Sequence, residues 1–138
     1  MARLILDQES IGLSFLMERI TKVKIKDCFK DDEGNLYFVV DQNDIGKAIG
    51  KGGMNIHRAE QEIKRKIKII AYSDSVIDFV RNIIHPLRVQ EIIEEGNQLI
   101  IKETNKKAKS LLMGRNGKNL KLINRAVKRF FNHEIKVI

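Results

Sequence analysis

One eight-residue pattern occurs twice in this chain, and it constrains the fold more than any other feature of the sequence. The first copy, Ile-Gly-Lys-Gly-Gly-Met-Asn-Ile, begins at residue 49, and the second, Met-Gly-Arg-Asn-Gly-Lys-Asn-Leu, begins 64 positions later. A short apolar-periodic segment precedes each copy and a longer one follows it, which predicts two helices joined by a tight glycine turn. The glycine at each end of the turn permits positive φ and leaves no Cβ to hold off another backbone.

The predicted turn is suited to binding an anion. It leads into the N-terminus of a helix, where unpaired N–H groups and the positive end of the helix dipole favour negative charge. Lys51 and Arg115 add one cation to each turn. A single G-x-x-G is often no more than a helix–helix turn, but two copies in matching surroundings within a basic chain favour binding of a sugar–phosphate backbone.

The charge of the chain also favours a polyanionic partner, and it is distributed unevenly. The net charge is +8. Residues 1–72 carry 13 Lys and Arg against 11 Asp and Glu, whereas residues 73–138 carry 13 against 7. Residues 105–129 contain nine basic side chains and no acidic one. Because a solvated charged helix usually mixes both signs, this bias predicts a contact surface for nucleic acid.

The length of 138 residues permits one ordinary domain or two small ones. The internal repeat favours two domains, over residues 1–72 and 73–138. A single cysteine, Cys28, excludes an internal disulfide framework and fits a reducing compartment. Residues 1–6 are too short for a signal peptide, and no apolar run approaches the ~20 residues of a membrane span. We therefore expect a soluble cytoplasmic monomer without a membrane partner.

The first half of the chain is predicted to hold three helices and three strands. Val23, Ile25 and Phe29 alternate with lysines, which predicts a half-buried strand. The acidic stretch after it lacks the alternating ligands of an EF-hand, so it is interpreted as a hairpin turn rather than a cation loop. The predicted elements are a helix over residues 10–20, strands over 23–30 and 36–41, a short helix to 49, a helix over 54–66 and a strand over 67–72.

The second half is predicted to repeat this order. Its elements are a helix from residue 73 or 75 to 84, strands over 87–93 and 98–103, a short helix over 105–113, a helix over 118–131 and a strand over 133–138. The expected N-caps in the whole chain are Ser10, Asn43 or Asp44, Ser73 or Ser75, and Asn105. Three strands with helices on one face form a two-layer α+β sandwich. Because the third strand of each half returns past a helical pair, each sheet is expected to be mixed.

The combination of turn and flanking elements resembles a known family. An apolar-Gly-x-x-Gly-x-x-apolar turn between two helices, with a strand on either side, resembles the KH domain, whose loop clamps about four nucleotides of RNA. The additional helix and strand precede this core, as in the type II variant. Two such units in tandem are similar to the archaeal NusA-like transcription factors. The resemblance implies single-stranded RNA as the partner, a possible contact with RNA polymerase, a role in transcription termination or elongation control, and no cofactor.

The resemblance also implies a set of RNA-binding residues. In the first half they are Gly50, Lys51, Gly52, Gly53 and Asn55, and in the second half Gly114, Arg115, Asn116, Gly117, Lys118, Asn119, Lys121 and Arg125. The residues expected to line the base-binding grooves are Ile45, Ile49, Ile56, Met113 and Leu120. Lys109 stands where the first half has Ile45, so the two grooves are not expected to read the same bases.

Two of these assignments have structural alternatives. The two asparagines lie on a face that reaches a base edge, but a local hydrogen bond at the start of the helix explains them equally well. The row formed by Lys118, Lys121 and Arg125 is either a track for phosphates or a solubilising helix face.

Other function classes fit the sequence less well. Residues 46–52 resemble a nucleotide-binding P-loop, but only three residues separate its glycines and Gly52 stands where Ser or Thr would hold magnesium. Three scattered histidines and one cysteine predict no metal site, and no catalytic set is visible, so an enzyme is not expected. A KH-fold interaction module that docks on RNA polymerase or the ribosome with idle loops remains an alternative. An RNA-binding role in ribosome biogenesis or RNA decay also remains open.

Overall fold

The computed structural model describes residues 7–138, which divide into two compact units, residues 7–73 and residues 74–138. Residues 1–6, for which the sequence predicts no signal peptide, lie outside the described residues. The first unit contains α1 (Gln8–Thr21), β1 (Ile25–Lys30), β2 (Leu36–Asp41), α2 (Ile45–Ile49), α3 (Met54–Ile63) and β3 (Ile67–Tyr72). The second contains α4 (Val76–Ile84), β4 (Glu91–Glu95), β5 (Gln98–Lys102), α5 (Lys106–Met113), α6 (Lys118–Lys128) and β6 (Glu134–Val137).

Each unit has one three-stranded sheet with the same topology. The strand order is β1-β2-β3 in the first unit and β4-β5-β6 in the second. The hairpin strands pair antiparallel, and the third strand pairs parallel to the second, with Leu36 opposite Ile67 and Leu99 opposite Ile135. A parallel neighbour requires a crossover, and in each unit the helical pair around the glycine turn supplies it. The predicted fold class, α+β with two three-stranded mixed sheets, is confirmed.

The helices of the first unit pack on one face of its sheet. Met17 and Ile20 of α1 and Ala59 of α3 form a buried cluster with Leu36 and Phe38 of β2. Two further members of this cluster, Cys28 and Ile67, come from the strands on either side of β2. Burial of such side chains contributes about 1.5–3 kcal/mol each. This core fixes α3 over the sheet and so positions the start of that helix, where the first glycine turn ends.

The core of the second unit is built around an aromatic residue of α4. The ring of Phe79, which is fully buried, contacts the rings of Phe130 and Phe131 at centroid distances of 5.7 Å and 5.8 Å. Helices α4 and α6 pack together, α4 also contacts β4, and α6 contacts β6. Leu99 and Ile101 of β5 are completely buried. Packing against α4 and β6 therefore fixes the position of α6, and with it the end of the second glycine turn.

The predicted alternation of the first strand is wrong after Ile25. A β-bulge lies between Ile25 and Asp27, so Ile25 pairs with Val40 and Asp27 with Val39. One extra residue in a strand moves every later side chain to the other face. Cys28 consequently enters the core beneath the helices, whereas Phe29 stacks on Tyr37 with ring centroids 5.2 Å apart.

At three of the predicted helix starts the structure either corrects the N-cap or selects one of two candidates. Asp7, not Ser10, caps α1, because its carboxylate accepts a 2.7 Å hydrogen bond from the Ser10 amide. Before α2, Asp41 caps a short 3₁₀ turn over Gln42–Asp44, and Asp44 makes no capping bond through its side chain. Ser75 caps α4. The prediction for α5 is confirmed, since the Asn105 side chain accepts from the Ala108 amide at 2.9 Å.

Strand β4 begins four residues later than predicted, at Glu91. The Glu103 carboxylate explains the delay, because one of its oxygens accepts a 3.0 Å hydrogen bond from the Gln90 amide. Its other oxygen accepts a hydrogen bond of the same length from the Asn105 amide. The Gln90 amide is thus bonded to a side chain instead of to a neighbouring strand. The same carboxylate also connects the hairpin to the start of α5.

Candidate nucleic-acid interface

The first loop, residues 50–53, is a sharp bend in which three of the four residues have positive φ. Gly50 has φ 82° and ψ 163°, and Gly52 and Gly53 lie in the left-handed region with φ values of 62° and 75°. Residues without a Cβ adopt these conformations at little cost. The Gly53 amide donates to the Gly50 carbonyl at 3.0 Å and closes the bend. The chain then enters α3 directly.

The second loop, residues 114–117, has almost the same backbone. Gly114 has φ 73° and ψ 169°, and Gly117 has φ 72°. Asn116 occupies the position of Gly52 with φ 58° and ψ 25°. Asparagine is the residue other than glycine that most readily adopts this region. The Gly117 amide closes the bend on the Gly114 carbonyl at 3.1 Å, so two different sequences give one conformation.

The hydrogen bonds of each bend use some of its amides and leave others aside. In the first loop, the Gly50 amide bonds to the Gly46 carbonyl and the Met54 amide to the Lys51 carbonyl. The second loop repeats both bonds. Among the turn and cap hydrogen bonds of the described residues, none uses the amides at the two central positions of either loop, which are Lys51, Gly52, Arg115 and Asn116.

The central residues of both loops are exposed to solvent. Lys51 and Gly52, and likewise Arg115 and Asn116, are exposed. The helices that follow, α3 and α6, have ten and eleven residues, and neither has an acidic side chain in its first turn. Each bend therefore combines main-chain donors, a helix N-terminus and one cation, which is a favourable arrangement for an anion such as phosphate.

The first glycine of each loop is needed for a reason that the sequence did not show. A Cβ on Gly50 would lie 2.8 Å from the Asn55 backbone nitrogen and 2.9 Å from the Asn55 Cγ atom. A Cβ on Gly114 would lie 2.7 Å from the Cγ atom of Asn119. The sequence predicts that the glycine at each end of the turn lets another backbone approach closely. At the first position that space is occupied by an asparagine of the same chain.

The two asparagines hold the bend together. The Asn55 side-chain nitrogen donates to the Lys47 carbonyl at 3.0 Å, and the Asn119 nitrogen donates to the Leu111 carbonyl at 2.9 Å. Both bonds join the second helix of the pair to the last turn of the first. The structure thus gives these residues a local hydrogen bond, and that bond spans the turn instead of remaining within one helix start.

The expected basic row on α6 consists of three side chains in different environments. Spacings of three and four residues place Lys118, Lys121 and Arg125 on one face of the helix. Lys121 is exposed, whereas Lys118 and Arg125 are half-buried and have interaction partners within the chain. The corresponding positions of α3 are occupied by Met54, His57 and Gln61, and the last two are hydrogen-bonded to each other at 3.2 Å.

The expected groove residues are partly buried in both units. Ile45 packs against a small core cluster of Val23, Val40 and Ala48. Its counterpart Lys109 is also half-buried. The structure leaves Ile49, Ile56, Met113 and Leu120 partly accessible beside the two loops.

The sequence reasoning missed two exposed apolar side chains beside the loops. Met54, the first residue of α3, is 64% exposed, and Leu111, in the last turn of α5, is 54% exposed. They lie on opposite sides of their bends, and a lysine occupies the matching place in the other unit, Lys118 and Lys47 respectively. The signal in the sequence is their spacing, because neither Met54 nor Leu111 lies three or four residues from the buried residue of its own helix, Ala59 or Leu112.

Two other features are absent from residues 7–138. No group of three or more His, Cys, Asp and Glu side chains is arranged to hold a metal ion in this part of the chain. No helix within it has the length and apolar character to cross a bilayer.

Comparisons with known proteins agree with the geometry. A family model described as the NusA-like second KH domain matches residues 11–75, which include the first loop. The whole chain is 36% identical over 145 aligned positions to a probable transcription termination protein NusA of Methanocaldococcus jannaschii and covers 77% of that relative. It is 35% identical over 121 positions to the protein of the same name from Methanococcus vannielii, with 86% of this chain and 69% of the relative covered.

A comparison with solved structures supports the same architecture. One crystal structure, 24% identical in sequence, superposes with a TM-score of 0.72 over 96% of this chain and 100% of its own. At this level of identity the likeness concerns the fold alone.

Proposed function

Because this chain belongs to the archaeal NusA-like family of tandem KH proteins, we propose that it binds single-stranded RNA and acts in transcription termination or elongation control. Each loop binds phosphates of the RNA backbone, and the bases lie in the groove beside that loop. Its relatives in Methanocaldococcus jannaschii and Methanococcus vannielii are named as probable transcription termination proteins. We propose a binding role in the cytoplasm as a monomer, without catalysis and without a cofactor.

The observation that carries this proposal is the exposure of the central loop residues. Phosphate needs donors that are not already used, and the turn hydrogen bonds leave the central amides of both loops aside. Lys51 and Arg115 supply one cation at each site. Asn55 and Asn119 support the loops, and Lys118, Lys121 and Arg125 extend the contact along α6. Gly50, Gly53, Gly114 and Gly117 allow the bends.

Single-stranded RNA is favoured over a duplex. Side chains cannot read the deep and narrow major groove of an RNA helix, whereas unpaired bases expose their edges to a groove beside a clamped backbone. Ile45, Ile49 and Ile56 of the first unit, and Met113 and Leu120 of the second, offer apolar surface for such bases. Binding should weaken as salt rises, because neutralised phosphates release counterions.

The decisive experiment replaces the two central residues of both loops with aspartate. The changes are Lys51→Asp, Gly52→Asp, Arg115→Asp and Asn116→Asp. A Cβ on Gly52 meets nothing within 4 Å, aspartate adopts the left-handed φ of this position at a modest cost, and Asn116 is close in size to aspartate, so the variant should fold. We expect RNA binding, measured by fluorescence anisotropy with short single strands, to fall to background.

A matched control changes the same amount of charge elsewhere. Lys24→Asp with Gln8→Asp in the first unit, and Lys136→Asp with Asn132→Asp in the second, alter exposed residues away from the loops. This control should keep most of the affinity. If a folded loop variant binds RNA as well as the control does, the loops are idle. The chain would then be better explained as an interaction module for RNA polymerase or the ribosome.

The transcription role needs a separate test, because it rests on the family. Crosslinking RNA to the protein in cells, followed by sequencing, should recover nascent messenger or ribosomal leader transcripts. Recovery of mature ribosomal RNA alone would contradict the transcription role and favour ribosome biogenesis. Recovery of messenger fragments without nascent transcripts would favour RNA decay.

A further inference from the structure

The side-chain amides of Asn55 and Asn119 complete the ends of the preceding helices. The last four carbonyls of any helix have no partner within that helix. In α2 the Gly46 carbonyl accepts from the Gly50 amide, and the next carbonyl, that of Lys47, accepts from Asn55. The end of α5 repeats this arrangement, with Ser110 bonded to the Gly114 amide and Leu111 bonded to Asn119.

Each asparagine is matched to the first glycine of its own loop. A side chain on Gly50 would come within 3.1 Å of the Cβ of Asn55, and one on Gly114 within 2.9 Å of the Asn119 side-chain nitrogen. Only glycine leaves room for the asparagine to reach back over the bend. The glycine and the asparagine five residues later therefore form one structural device, and the chain contains it twice.

We propose that Asn55 and Asn119 are positioning residues for RNA binding and do not read bases. Each one fixes the second helix against the end of the first, which presents the central loop amides in a preset direction. Preorganising a binding loop raises affinity because less conformational freedom is lost on binding. This inference rests on the proposed RNA-binding function and assigns a different role to two residues that the sequence placed at the RNA.

The positioning role makes a prediction that a base contact does not. Removing Asn55 or Asn119 loosens a loop that touches backbone, so affinity for every RNA sequence should fall by the same factor. Losing one net hydrogen bond predicts roughly a fivefold effect per loop. The slope of affinity against salt should stay unchanged, because the same phosphates are neutralised. Removing a base contact would instead change the ranking of sequences.

The test uses the full chain with Asn55→Ala, Asn119→Ala and the two combined. Affinities for short uridine, adenosine and cytidine homopolymers are measured at several salt concentrations, together with the melting temperature. In the RNA-free protein, NMR order parameters are recorded for the amides of Gly52 and Asn116. We expect uniform losses of affinity, unchanged salt slopes and lower order parameters in the loop that lost its asparagine. Asn132→Ala, at an exposed asparagine after α6, is the matched control and should change none of these.

The possible outcomes separate this inference from the function on which it rests. Wild-type affinity in a folded alanine variant would overturn the positioning role, and so would a loss confined to one homopolymer. If the wild-type chain binds no RNA, the proposed function fails, while the order parameters still show whether the asparagines fix the loops. If an alanine variant does not fold, Asn55→Ser and Asn119→Ser are used instead. The serine side chain is too short to reach the carbonyl across the bend, so it also lacks this hydrogen bond.

Discussion

The two units share a fold and a loop conformation but differ in charge. Their central loop residues, Gly52 and Asn116, have φ values of 62° and 58°, although one is a glycine and the other is not. Around this common bend, the first unit has Met54 and His57 on α3 where the second has Lys118 and Lys121 on α6. The same bend therefore forms from different residues, and the charge of the surface beside it differs between the two units.

A second difference concerns how the last strand of each unit is attached. In the first unit the Glu60 carboxylate accepts a 3.0 Å hydrogen bond from the Ile67 amide. In the second unit the Asn124 side-chain oxygen accepts a 2.9 Å bond from the Ile135 amide. The amide of the last strand is thus hydrogen-bonded to a carboxylate in the first unit and to a neutral side-chain amide in the second. This exchange keeps negative charge off the basic helix α6.

The largest expected effect is an unequal response to disabling one loop at a time. Arg115→Asp with Asn116→Asp should weaken RNA binding about a hundredfold, because three charges are changed at roughly 1 kcal/mol each beside phosphates. Lys51→Asp with Gly52→Asp should cost only about tenfold, since the more basic second unit still holds the RNA. Fluorescence anisotropy checks both values. Equal losses would show that the charge difference between the units has no role in affinity.

The conformational similarity of the loops predicts a smaller effect on stability. At φ near 60°, alanine costs about 1–2 kcal/mol relative to glycine, and asparagine costs less. Gly52→Asn should therefore change the free energy of unfolding little, whereas Gly52→Ala and Asn116→Ala should each lower it by about 1 kcal/mol. Urea unfolding monitored by circular dichroism measures the three variants. Equal stability of the asparagine and alanine variants at residue 52 would contradict the shared conformation.

A single cation on α6 is expected to have a smaller effect on RNA affinity. Lys121→Ala should weaken binding about threefold and lower the salt slope by about 0.7, the value for one phosphate contact on a single strand. His57→Ala, at the matching position of the first unit, should leave the slope unchanged. Titrations at several salt concentrations measure both. A change of slope in the histidine variant would mean that the first unit also follows the RNA with α3.

The smallest predicted effect concerns the hairpin of the first unit and depends on pH. Burial of Asp31 opposes its ionisation, but hydrogen bonds from Asn35, Tyr37 and Glu33 outweigh burial and lower the pKa of this carboxyl. Burial, reinforced by the Asp31 carboxylate, raises the pKa of Tyr37 to about 12. The second unit replaces this hairpin with a two-residue turn, in which Gly96 has φ 57°.

Because the folded-state pKa of Asp31 is depressed, its stabilisation is fully present above the unfolded pKa and is lost as pH falls through the folded value. The contribution should be about 0.5 kcal/mol or less, since the group remains largely accessible to solvent. Asp31→Asn should thus be less stable than the wild type at pH 7, and the gap should close in acid. A gap that does not change with pH, measured by urea unfolding, would contradict this origin.

Much of the fold was predictable because its signals are local. The alternation of strand residues, the spacing of apolar residues on α3 and α6, and the glycines of the bends predicted the element order and the mixed sheets. Asn105 was predicted as an N-cap and is one. The errors arose where a backbone amide is hydrogen-bonded to a side chain that the local sequence pattern did not indicate. The Asp7 carboxylate accepts a hydrogen bond from the Ser10 amide. The Glu103 carboxylate accepts one from the Gln90 amide, and β4 therefore begins later than predicted.

The candidate site shows the same division. The sequence identified the two loops, their cations and the helix that follows each one. It did not show that Asn55 would fill the space beside Gly50, because that contact depends on how closely two helices approach. Nor did it show the bulge that turns Cys28 towards the helices and Phe29 towards Tyr37, because nothing local distinguishes an added strand residue from a regular one.

The sequence by itself determined the two bends, since glycine adopts left-handed backbone at little cost and asparagine does so more readily than other side chains. It also determined which unit is more basic, because charge does not depend on folding. Only the tertiary structure decided what each bend presents to a ligand. The crossing of the paired helices brings an asparagine over the first glycine and leaves the central residues exposed. The separation between the two helices of each pair is set by the packed core beneath them, and it cannot be inferred from spacing along the chain.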